Sequence, residues 1–168
     1  MTDPASGNCG TEPRLHSKRL GRELAMQFLF QCDMRQEMPD MEKWELCRQQ
    51  LCEEYALHDN RYTRKACDYA ETLFTGVAVN RERIDETIGK RSENWDFSRL
   101  SLVDRNIMRI AVFEMLFRPD VPPVVSINEA VEIAIDFSGE RAGSFINGVL
   151  NGIKDTLSRP PRESVEKL

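Results

Sequence analysis

The chain has 168 residues, 40% of them hydrophobic, with 23 Lys and Arg against 28 Asp and Glu for a formal net charge of -5. That length holds one domain or two small ones around an ordinary core, and the acidic balance excludes a surface that is basic all over, so any nucleic-acid footprint must be local. Five cysteines (Cys9, Cys32, Cys47, Cys52, Cys67) never form a CxxC pair and only two histidines accompany them; neither a zinc site nor a disulfide framework has the required spacing, and no metal or cofactor is expected.

The most apolar run, IAVFEMLF, is short and contains Glu114, so no transmembrane helix is expected and the chain reads as cytoplasmic. Residues 1–16 and 158–168 carry the Pro, Gly and Ser of flexible tails, which leaves 17–157 as a single helical domain. Its first helix has the stripe Leu20, Leu24, Phe28, Cys32, with Ser17 as the candidate N-cap. A second follows with Trp44, Cys47, Leu51 and Tyr55, and a third with Tyr62, Ala66, Tyr69, Leu73 and Val77. Ile84 and Ile88 mark a short fourth helix, after which Trp95 and Phe97 can plug the connection.

Residues 102–117 are apolar on nearly every side and predict the central, most buried helix, stopped by Pro119; Arg109 and Glu114 on it each need a partner. Ser126 and Glu129 have capping-box spacing and predict a sixth helix starting there, and a seventh runs from about Glu140 with Phe145, Val149 and Ile153 or Leu157 as its stripe. The whole predicts an all-α fold of about seven helices in two packed sub-bundles meeting on residues 102–117. Within SFINGVL the Asn147-Gly148 pair is anomalous, because Gly costs about 1 kcal/mol against Ala inside a helix. A close backbone contact at Gly148, with the Asn147 amide turned to a buried group, would offset that cost.

Four separated stretches, GRELAMQFLF, LVDRNIMRIAVFEML, VVSINEAVEIA and SFINGVL, resemble the bacterial NusB family of transcription antitermination factors, in the right order and spacing over about residues 17–157. The resemblance implies a non-enzymatic, all-helical protein that binds the single-stranded boxA element of ribosomal RNA leaders as a heterodimer with ribosomal protein NusE. It implies further association with other Nus factors and RNA polymerase in an antitermination complex.

The resemblance assigns RNA contacts to a basic tract, here Lys18, Arg19 and Arg22 with Arg14 and His16 upstream, and to Gln27 and Phe145. Segment 14–35 carries a net charge of +3 on the sequence, a patch able to neutralise phosphates. Where the family has Ser and Lys around Phe145, this chain has Ala142 and Ser144, and Arg141 is the nearby cation. The partner surface implied by the resemblance comprises Phe30, Met34 and Asp104, although Ser101-x-x-Asp104 also reads as a capping box. The rival readings are a helical protein-interaction adaptor with weakened RNA binding, and the RNA-binding module of an rRNA cytosine methyltransferase. The second would require a following domain with a Gly-rich cofactor loop and a catalytic Cys.

Overall fold

In the computed structural model, which describes residues 16–92 and 97–158, the apolar stripes become seven α-helices, with no strand among those residues. They are α1 (Ser17–Arg35), α2 (Met41–Glu54), α3 (Arg61–Val79), α4 (Arg81–Arg91), α5 (Leu102–Phe117), α6 (Pro123–Ser138) and α7 (Glu140–Lys154), with a 3-10 turn at Phe97–Arg99 before α5. The expected tails lie almost wholly outside the described residues, as do Cys9, Arg14 and Trp95.

Helix α5 packs against α1, α3, α4, α6 and α7, and Asn106 through Met115 are buried without interruption. It is the joint between a layer of α1 to α3 and a layer of α4, α6 and α7. Phe28, Trp44 and Phe74 lock the first three helices together, their ring centroids 4.7–5.3 Å apart in tilted and edge-on geometry. Three helix starts are capped as local chemistry dictates: Asp40, Asn60 and Ser101 accept from the backbone N–H groups of Lys43, Thr63 and Asp104.

Several local expectations are corrected. Helix α1 takes His16, not Ser17, as its N-cap residue, without a side-chain cap bond. Helix α6 begins three residues before Ser126, because Pro123 presets the helical φ in the first turn and has no N–H to leave unpaired. Ser126 is therefore buried within the helix, and Glu129 points to arginines of α1 instead of closing a capping box. Tyr55 lies exposed at the end of α2.

Gly148 is no packing joint: a Cβ added there would meet nothing within 4 Å, and both Asn147 and Gly148 are exposed. Ile146, Val149, Leu150 and Ile153 take the buried face of α7, which turns 147 and 148 to solvent. The Asn147 side chain and carbonyl accept from Asn151 one turn on, both at 2.9 Å, rather than meeting a buried group. Close approach occurs at other glycines. A Cβ on Gly21 would lie 2.8 Å from the Ala66 carbonyl oxygen, and one on Gly143 would lie 2.6 Å from Ile135 Cγ1.

Candidate nucleic-acid and partner interfaces

The basic start of α1 does not stand alone. Lys18 is half-exposed, 4.0 Å from Asp120 and over the Tyr69 ring at 5.4 Å. Arg19 donates through Nε to Glu23 at 2.7 Å, through Nη1 to Glu132 at 2.8 Å and through Nη2 to Asp136 at 2.8 Å, with Glu129 3.7 Å away. The last three carboxylates come from α6, where positions 129, 132 and 136 fall on one side of the helix.

Arg22 lies deeper. Its side chain is 4% exposed and forms a two-pronged pair with Glu114 of α5, Nε to Oε1 and Nη2 to Oε2, each 2.8 Å. Tyr69 of α3 donates its hydroxyl to Glu114 Oε2 at 2.7 Å, so the buried carboxylate is held by two helices besides its own. Burial alone would lower the Arg22 pKa, but hydrogen bonding and charge attraction to Glu114 more than offset it and raise it. Burial and the Glu114 anion push the Tyr69 hydroxyl well above its ordinary value. Arg22, expected among the RNA contacts, is thus buried and paired inside the fold in this structure.

The sequence counted +3 over segment 14–35, yet in space Arg19 and Arg22 face five carboxylates: Glu23, Glu114, Glu129, Glu132 and Asp136. The α6 carboxylates lie more than 100 positions from Arg19 in the chain, and nothing local pointed them at α1.

The Arg19–Asp136 bond sets the start of α1 beside the end of α6, and Gly139, at φ +97°, turns the chain there into α7. Arg141 and Phe145 on the first turns of α7 thus share one end of the molecule with Lys18 and Arg19. Arg141 is exposed, and Phe145 is partly buried against the core. Gln27 is half-buried further along α1, its Nε2 without a hydrogen-bond partner among the described residues.

At the other end of α1 the chain builds a second charged joint. Asp33 accepts from Arg81 of α4 and, through Oδ2, from Asn106 at 2.9 Å and Arg109 at 3.0 Å, both on α5. Arg109 also grips Asp85 of α4 with two bonds of 2.7 and 2.8 Å, which supplies the partner its sequence position demanded. This joint brings the start of α5, with Asp104, to the end of α1, with Phe30 and Met34. Met34 is 62% exposed, Phe30 half-buried, and Asp104 half-buried with Oδ1 unpartnered among the described residues.

No described helix is long and apolar enough to cross a membrane, and no three described His, Cys, Asp or Glu side chains are placed to hold a metal ion. Seven helices among the described residues, pinned by buried ion pairs such as Arg22–Glu114 and Arg109–Asp33, define an all-α helical module. A family model described as the NusB family matches residues 19–155, and the chain belongs to that family.

Transcription antitermination protein NusB of Desulfitobacterium hafniense is 37% identical over 156 residues, covering 90% of this chain and 97% of that protein. The protein of the same name from Bacillus cereus is 40% identical over 140 residues, covering 83% and 98%. Among solved structures, T. maritima NusB matches with a TM-score of 0.67 at 34% identity, covering 84% of this chain and 93% of that one. A chain in a crystal structure of antitermination factors NusB and NusE in complex with dsRNA matches with a TM-score of 0.70 at 27% identity, covering 85% and 99%. The protein is a transcription antitermination factor of an RNA-binding adaptor family, not an enzyme.

Proposed function

We propose that this antitermination factor binds the boxA single strand of ribosomal RNA leaders as a heterodimer with NusE, acting in the cytoplasm with other Nus factors and RNA polymerase. The observation that carries the reading is the likeness, over nearly the whole helical region, to a chain solved together with NusE and RNA. The surface supports it. Lys18, Arg19, Arg141 and Phe145 gather at one end, offering cations for phosphate and an aromatic face for an unstacked base. Gln27, further along α1, is half-buried, and its Nε2 has no partner among the described residues; it would have to turn outward to read a base edge. Phe30, Met34 and Asp104 at the opposite end of α1 form the surface for NusE.

One observation gives weight to the adaptor reading as well: Arg22 is buried and Arg19 is engaged by carboxylates, so two of the three cations at the start of α1 are already paired. RNA binding by the chain alone should then be weak and should strengthen with NusE. The test is titration of a boxA-containing single strand with this protein, with NusE, and with both. Tightest binding by the pair is expected; retention of the strand by neither the protein nor the pair would refute the proposal.

A further inference from the structure

Arg19 has two edges in different surroundings. Its Nε edge is anchored to Glu23, which is 15% exposed and on the same helix, while Nη1 and Nη2 point to Glu132 and Asp136, which are 66% and 64% exposed. Pairs with such exposed carboxylates are weak because water and salt compete for them, and the two side chains can rotate away at little cost. The anchored edge would keep the guanidinium in place when they do. A guanidinium held by one edge with two N–H donors on the other is the geometry that takes a phosphate in a two-pronged grip.

Resting on the reading of this end as the RNA surface, we propose that Glu132 and Asp136 are built-in competitors of the RNA backbone for Arg19. They occupy the two N–H groups a phosphate would take, and so set how tightly the isolated protein holds a single strand. Arg22 offers no such exchange, because its own side chain and Glu114, the carboxylate it grips, are buried, and its remaining Nη1 lies 3.6 Å from Glu129. The affinity of this surface is therefore governed by α6 as much as by the basic start of α1. Displacement of both acids is part of forming the RNA complex.

The experiment measures binding of a boxA-containing single strand by the full chain over a salt series. The variants are Glu132→Gln/Asp136→Asn, the same pair in an Arg19→Gln background, and Glu53→Gln/Glu54→Gln as a control with the same charge change on exposed positions of α2. Circular dichroism checks that each is folded. The first variant should bind roughly 3- to 10-fold tighter at low salt. Its slope of log K against log salt should steepen by ~0.7, one added phosphate contact.

The gain should vanish with Arg19→Gln, and the control should change affinity less than about twofold at moderate salt, since exposed charges beyond a Debye length are screened. Should Arg19→Gln fail to fold, the slope change against the control still decides. Wild-type binding with no gain in Glu132→Gln/Asp136→Asn overturns the competition while leaving the RNA reading intact. A gain that persists without Arg19 also overturns it, as a general charge effect. Failure of every protein to bind RNA, alone and with NusE, removes the RNA reading and this inference with it.

Discussion

Gly148→Ala should stabilise the fold by about 0.5–1 kcal/mol, because the added Cβ meets open space and the helix loses a flexible residue from its interior. Gly21→Ala should do the opposite and cost about 1–3 kcal/mol, since its Cβ would press on the Ala66 carbonyl oxygen and α1 would have to move off α3. Denaturant midpoints of the two variants check both signs, and a destabilised Gly148→Ala protein would restore a packing role for that glycine. A propensity cost does not by itself imply a tertiary contact that offsets it. The apolar spacing of Ile146, Val149, Leu150 and Ile153 already turned position 148 outward. At Gly21, by contrast, the constraint comes from a backbone oxygen on another helix, which no local pattern encodes.

Helices were legible because each buries a stripe, and the stripes of α1, α3 and α5 are read directly from residue spacing. What joins them was not, because Arg22 and Glu114 are 92 positions apart and Arg109 and Asp33 are 76 apart. The sequence could say only that Arg109 and Glu114 needed partners. Arg22→Ala should cost about 3–5 kcal/mol, as it strands a buried carboxylate. An Arg22→Met/Glu114→Leu double variant should cost less than the single change, and thermal or urea melts of the two decide whether the pair acts as a unit. Asp33 gives the second joint a pH signature. Burial alone would raise its pKa, but hydrogen bonds from Arg81 and Asn106 and the Arg109 charge hold it below the ordinary value of 3.8. A depressed carboxylate contributes stability above its unfolded pKa and loses it as pH falls through the folded one. Unfolding free energy should therefore drop below about pH 4, and Asp33→Asn should lower stability at neutral pH while flattening that acid limb.

At the scale of the whole molecule, the proposed RNA and NusE surfaces lie at opposite ends of α1: Lys18 and Met34 are about 24 Å apart on the helix axis at 1.5 Å per residue. Mutations at one end should then spare the binary contact at the other. Asp104→Lys reverses a charge at the proposed NusE surface and removes an acid from the first turn of α5, while the Ser101 cap to the residue-104 N–H remains. It should weaken pairing with NusE and leave the protein's own weak RNA binding nearly unchanged. If NusE and RNA favour each other's binding, linkage requires that the same change lower RNA affinity only when NusE is present. A binding cycle with wild type and Asp104→Lys, each with and without NusE, measures both terms, and circular dichroism excludes unfolding. A folded Asp104→Lys protein that pairs with NusE as tightly as wild type would leave Asp104 only its place in the first turn of α5, and would move the partner surface away from this end of α1.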